Sequence, residues 1–264
     1  MKKIIFFIFI TFLLFTAACS AKFEIDESYS SESVESIKVD NDSWDVRFKK
    51  SNSNEVTISA EGSKGKNPPV TFQLDGTTLT IKQEDQTESG FFDGFTFGKK
   101  GTIFIGIPES TINDVELINK DGNIEMAEIS IGSITVENNS GDGKIENVTA
   151  DVGEMVTNSG MVSLADSSFE DLGITSGGGE VVIKDIEEGN NLSVDTESGD
   201  ISVSYKNNPT SLNILAKSNS SNITLNLEGF HSEEDTKNVK QGIIGDGQST
   251  LELISNKGVI LISN

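Results

Sequence analysis

The chain has a single cysteine, Cys19, among its 264 residues, so no disulfide can form within it. The folded part must hold through its core and its backbone ladder alone. One histidine, His231, and one arginine, Arg47, leave little material for a Ser-His-Asp triad, a histidine-based metal site or the cationic help that a lyase needs against a uronate. Cations are scarce in general. After residue 18 the chain holds 18 basic and 42 acidic residues, a balance of −24. A surface of that sign repels nucleic acid and anionic headgroups, which argues against a nucleic-acid partner and makes a lipid, rather than a basic patch, the means of holding a membrane. Beyond residues 4–15 no stretch sustains a helical period.

What is present begins with that one apolar run. Lys2 and Lys3 precede it, and the small residues Thr16, Ala17 and Ala18 follow, which together match an export signal over residues 1–18. The run is shorter than the roughly 20 apolar residues of a membrane span. Cys19 comes next, and the order Thr16-Ala17-Ala18-Cys19 resembles the lipobox of bacterial lipoproteins, in which the thiol is acylated and becomes the new N-terminus. Ordinary cleavage after Ala18 would instead leave an exposed free thiol on an exported protein. Two acyl chains anchor stably at about 0.8 kcal/mol per buried CH₂. This reading places the protein on the outer face of the bacterial cytoplasmic membrane, with the membrane as its partner through the N-terminal lipid.

Residues 19–33 are polar and acidic and read as a solvated tether. From Val34 to Pro108 apolar residues alternate in short runs broken by Gly, Asn, Asp and the Pro68-Pro69 pair, which predicts an irregular region of short antiparallel-type strands.

Beyond Pro108 the pattern becomes regular. The apolar residue before each polar break falls at Leu117, Val136, Val156, Ile174, Val194, Ile214 and Leu253, steps of about 20 residues with one double step. A second apolar residue follows each break, at Ile124, Ile145, Val162, Val181, Ile201, Ile223 and Val259. Each repeat is thus two strands with a polar corner, and stacked copies share one core. The fold class predicted is all-β, with a parallel β-solenoid of about 20-residue rungs over residues 109–264. The residues two places on, Asn119, Asn138, Asn158, Ser176, Thr196, Ala216 and Ser255, are expected to form a corner ladder of small polar groups. Gly122, Gly141, Gly160, Gly177, Gly199 and Gly258 supply positive φ at the corners in this reading. The double step contains residues 228–249, charged and holding His231, which read as a loop insertion.

"GTIFIGIPES" followed by "VELINKDGNIEM", the corners "NNSGDGKI" and "ESGDI", and the ending "IGDGQSTLELISNKGVILI" resemble the bacterial β-strand-repeat family of unknown function of DUF4097 type, whose members carry the label "putative adhesin". The resemblance covers about residues 34–264. It implies a β-solenoid-like body, an envelope location and no established chemistry, and some relatives are encoded beside cell-envelope stress systems.

Against that background the chemistry-bearing residues are few. "SKGK", residues 63–66, matches Ser-x-x-Lys only superficially, since it stands in a loop between strands and lacks companion motifs. Asp142, Asp185, Asp195 and Asp200 are candidates for pairing across rungs in acid/base work on a glycan. With 42 acidic residues, chance neighbours are expected, and no constellation of acid, base and electrophile is visible. Asp142 and Asp246 stand in Gly-Asp turns reminiscent of calcium-binding β-rolls, but the nine-residue pattern does not repeat, so they read as turn formers. No catalytic residue, metal site or cofactor is assigned.

The most unusual stretch is "SGFFDGFTFGKKG", residues 89–101. Phe95 and Phe97 fit a strand facing the core, whereas Phe91 and Phe92, being adjacent, cannot both face inward. One of them is expected at a loop tip as a contact for a cell-wall glycan, a surface protein or the membrane. Trp44 reads as a packing residue. Three functions follow: a noncatalytic surface lipoprotein acting as adhesin or envelope-interaction scaffold, a regulatory lipoprotein of envelope stress, and a carbohydrate-active enzyme on a β-helix.

Overall fold

In a computed structural model, the described residues are 22–63, 67–85, 101–109 and 112–264. They contain no α-helix. The described part begins with β1 (Lys22–Ser30), β2 (Ser36–Asn41), β3 (Asp45–Lys50) and β4 (Glu55–Ser63), followed by β5 (Val70–Asp75), β6 (Thr78–Gln83) and β7 (Gly101–Ile107). The regular part runs in pairs: β8 (Asp114–Asn119) and β9 (Ile124–Ala127), β10 (Ser130–Asn138) and β11 (Gly143–Glu146), β12 (Thr149–Thr157) and β13 (Val162–Ala165). It continues with β14 (Ser168–Ser176) and β15 (Val181–Ile186), β16 (Asn191–Thr196) and β17 (Ile201–Tyr205), β18 (Leu212–Ser218) and β19 (Ile223–Asn226). A hairpin, β20 (His231–Asp235) and β21 (Val239–Ile244), precedes the final pair, β22 (Ser249–Ser255) and β23 (Ile260–Ser263).

The first strand of each pair enters a twelve-stranded sheet and the second an eleven-stranded sheet, so each repeat is one rung of a two-sheet parallel solenoid. Alternation explains the layering. In β10, Ile131, Ile134 and Val136 point inward while Thr135 and Glu137 point out, and Ile145 of β11 meets them from the other sheet. The inward faces merge into one continuous core. At about 4.8 Å per strand the stack is about 50 Å long.

Chain order and stacking order differ at both ends. The rung β2–β3 lies between β6–β7 and β8–β9, and the final rung, β22–β23, slides between β16–β17 and β18–β19. Parallel pairing therefore extends into the region expected to be irregular and antiparallel. Among the described residues there, only β1–β4, β4–β7 and β5–β6 are antiparallel.

Two further expectations differ. Within the expected tether, residues 22–30 form β1, because Phe23, Ile25 and Tyr29 alternate with acidic and hydroxyl residues and pack partly against the core. Residues 228–249, read as a loop, contain the hairpin β20–β21, in which β21 pairs antiparallel with β18 and covers the outer edge of that strand, leaving β20 as the sheet's last strand. Every residue of β20 is exposed, so its sequence carries no alternation to read.

The corner register also shifts. Met155, not Val156, is in line with Val136 and Ile174, and Val156 is 42% exposed. In the following strands Gly143 and Ile260, not Ile145 and Val259, share a column with Ile124 and Ile201. In the last rungs Ala216 aligns with Leu253, which leaves Ser218 opposite Ser255.

Candidate functional site

The corner between the sheets is the most repeated feature, and its chemistry is architectural. The buried ladder reads Gln83, Asn41, Asn119, Asn138, Thr157, Ser176, Thr196, Ser255 and Ser218 in stacking order, so Asn158 and Ala216 are replaced by Thr157 and Ser218. Asn119 Nδ2 donates to Gly122 O at 2.6 Å and to Asn138 Oδ1 at 2.7 Å, and Asn41 Nδ2 donates to Asn119 Oδ1 at 2.5 Å. Further along, the hydroxyls of Ser176 and Thr196 donate to the carbonyls of Gly179 and Gly199. A parallel column of glycines, Gly122, Gly141, Gly160, Gly179, Gly199 and Gly258, lies just beyond. Gly177 is not in it. Positive φ accounts for only Gly141 and Gly160; what the column shares is contact, because a Cβ at each position would overlap a carbonyl of the adjacent rung.

The candidate carboxylates are dispersed, not paired. Asp142 Oδ1 accepts from the Met161 N–H at 2.9 Å and Asp200 Oδ1 from the Val259 N–H at 2.7 Å, each bridging one rung to its neighbour. Asp185 sits at the opposite corner with φ 51°, in a series with Glu128, Asn147 and Asp166 that turns each rung back to the other sheet. Asp195 lies on the twelve-stranded sheet between Thr175 and Ile254. Asp246 stands between Gly245 and Gly247, both of positive φ. His231 is exposed at the start of β20. Among the described residues no group of three or more His, Cys, Asp or Glu side chains is gathered so as to hold a metal ion. Cys19, Phe91, Phe92, Phe95, Phe97 and residues 64–66 lie outside the described residues.

The outer face of the eleven-stranded sheet offers a different kind of site, centred on Phe104 of β7. Ile103 and Ile105 are buried, so Phe104 must point outward. Arg47 and Lys49 of β3 flank it, the guanidinium carbon 5.7 Å and the ammonium 5.8 Å from the ring centroid. Such cation–π contacts hold both cations over the ring. On the other side Ser59 of β4 and then Asp26 of β1 follow in register. Gly106 keeps the floor beside the ring low, where a side chain would overlap the Thr57 hydroxyl. The result is an open groove of about 900 Å³ whose walls include Asp26, Ser28, Lys49, Ser53 and Thr57.

A neighbouring depression of about 370 Å³ lies between Arg47, Glu125, Asp142, Lys144 and Met161. Arg47 Nε is 3.4 Å from Glu125, while the Lys144 ammonium is bound to Glu146, whose hydrogen bond and charge raise its pKa. An aromatic face, hydroxyls and fixed charges side by side suit a polyhydroxylated ligand, since a sugar ring stacks on the aromatic ring and its hydroxyls find partners around it. The sequence held the signal for Phe104, three consecutive apolar residues in an alternating strand, of which the middle one cannot face the core.

Solved structures with likeness to this chain include one described as a "putative adhesin" from Bacteroides fragilis NCTC 9343, 12% identical, covering 93% of this chain and 98% of its own, with TM-score 0.46. Another is a "putative cell adhesion protein" from Clostridium sporogenes ATCC 15579, 14% identical, covering 92% and 99%, with TM-score 0.38. A third is a "putative lipid binding protein" from Parabacteroides distasonis ATCC 8503, 13% identical, covering 91% and 96%, with TM-score 0.37. No curated protein matches. The profile of one family matches residues 34–189 and again residues 154–263, overlapping spans that together hold every described strand but β1, and the chain belongs to that family, Toastrack DUF4097.

Proposed function

We infer that the protein is a noncatalytic lipoprotein of the cell surface, an adhesin or envelope-interaction scaffold that offers the Phe104 groove to an extracellular glycan. In this reading Cys19 carries the lipid that holds it to the outer face of the cytoplasmic membrane, and Phe91 and Phe92 add a second contact to a glycan or a surface protein. The supporting observation is the distribution of polar groups. Asp142 and Asp200 share a corner column but lie three rungs apart, each engaged in a rung-to-rung hydrogen bond, while Asp185 turns the chain at the opposite corner and Asp195 lies on the twelve-stranded sheet, so no two of these candidate carboxylates stand side by side for acid/base work. The Phe104 groove, by contrast, has an aromatic face, hydroxyls and cations on an open surface.

The test is retention on isolated cell-wall glycan. The mature protein should be retained, Phe104→Ser should elute early with an unchanged unfolding midpoint, and the glycan should be recovered uncut. New reducing ends would sink the noncatalytic reading, and equal retention of the variant would remove the groove. Mass spectrometry of the mature N-terminus checks the anchor, since an unmodified Cys19 refutes it.

A further inference from the structure

Lys22 is already paired in β1, so no more than Ser20 and Ala21 separate Cys19 from a hydrogen-bonded strand. Lys22 is opposite Ser63 and Gly62 is opposite Gly101, so these parts of β1, β4 and β7 meet beside the corner that turns β2 into β3. Phe23 meets Trp44 of that corner edge-on, with ring centroids 6.1 Å apart at 68°. Trp44 is buried, and its indole lies against Gly101 so closely that a side chain there would overlap it. The first turn of side chains after the anchor is therefore clipped to the core.

We propose that this corner, formed by Lys22, Trp44, Ser63 and Gly101, is the part of the body held against the lipid bilayer, with the rest of the stack standing away from it. The proposal rests on acylation of Cys19. Three Cα–Cα steps limit the distance from Cys19 to Lys22 to about 11 Å, whereas a free chain as far as Val34 would reach about 50 Å. A lipid anchor thus pins the corner at the bilayer surface. The acidic body is repelled by anionic headgroups within a Debye length of about 8 Å, so surfaces that the anchor does not pin withdraw. Lys22 is at the pinned corner. Positive residues beside an acyl anchor favour an anionic leaflet. The opposite end, with the acidic strand β20, is then presented about 50 Å outward.

Trp44 is the sole tryptophan, so its emission reports on this corner without a label. In vesicles containing headgroup-nitroxide lipid, the lipidated protein should lose most of its Trp44 emission. Ser220→Trp in a Trp44→Phe background, at the same corner but the far end of the stack, should keep its emission. If that double variant does not fold, Ser220→Trp alone should leave an unquenched fraction. A long flexible Gly-Ser insert between Cys19 and Lys22 lengthens the leash and should restore the Trp44 emission. Equal quenching at both ends, or none at Trp44, overturns the proposal, the first by laying the stack flat and the second by putting the body on a long leash. If mass spectrometry finds Cys19 unmodified, the anchor reading fails separately. The same quenching is then read on mature chain coupled through Cys19 to a maleimide lipid, where leash length alone decides the result.

Discussion

The carbonyl oxygen of Gly141 occupies the space in which a side chain on Gly160 would begin. Gly160 also has φ 105°, so an added methyl meets both a backbone atom that cannot move without its rung and a conformation that L-residues avoid. Gly160→Ala should cost about 3 kcal/mol, from strain and overpacking together. Gly143→Ala, whose new Cβ would find nothing nearer than Met161 O at 4.0 Å, should stay within about 0.5 kcal/mol of the parent. Chemical denaturation of both variants checks the contrast.

Asn119 holds four partners at once, its Nδ2 donating to Gly122 O, to Asn138 Oδ1 and, at 3.4 Å, to Ser140 O, and its Oδ1 accepting from Asn41 Nδ2, and it is 2% exposed. Asn119→Ala strands all of them without water, and the expected loss is about 3 kcal/mol. Asn158→Ala should change stability by less than about 0.5 kcal/mol, because Asn158 is exposed and only reaches Asn139 at 3.4 Å. A large effect at Asn158 would mean that the ladder runs one residue further along than Thr157.

Those two asparagines show how much of the fold the sequence discloses. The period and the corner phrase are local, so the solenoid is legible from "VENNSGDGKI" and its copies. The register is less so. Val156 and Met155 are adjacent and both apolar, and counting back from the break picks Val156, while backbone pairing buries Met155 because Thr157 fills the ladder position. Strand β1 was hidden by composition, since three partly buried side chains among acids and serines are a weak signal. Stacking order is not legible at all. Rungs that share a corner phrase carry no local mark of which neighbour they take, so the placement of β22–β23 between β16–β17 and β18–β19 cannot be read from the repeat. Phe104 was overlooked because an outward residue in a buried strand has no motif, only a parity.

Acid should expose a second corner interaction. The Asp42 carboxylate binds the Lys120 ammonium and accepts from the Asp85 N–H at 3.0 Å, and the hydrogen bond from Lys120 is the main reason that its pKa is lowered from the usual 3.8. A depressed folded pKa gives stability that is present above the unfolded value and disappears as pH falls through the folded one. Because the Lys120 side of the pair is 62% exposed, the effect after screening is below about 1 kcal/mol. Asp42→Asn should be less stable than the parent at pH 6, and the difference should close below pH 3, in about the window expected of a lowered carboxylate. A difference that persists unchanged at low pH would assign the loss to packing instead.

Removing the last sixteen residues separates this stack from one built in chain order. In a sequential solenoid the final rung is an end, and its loss exposes a single new edge. Here β22 is bonded on one side to β16 and on the other to β18, and β23 likewise joins β17 to β19. A chain ending at Gln248 leaves β18, β19 and the hairpin β20–β21 without the strands that connect them to the rest. Hydrogen exchange should therefore show protection lost throughout residues 212–244, although all of them are still present, while residues 114–186 keep theirs. Full protection of residues 212–244 in the truncated chain would show that β18 can close directly onto β16. The intercalated rung would then be a matter of order and not the link on which the outer end of the stack depends.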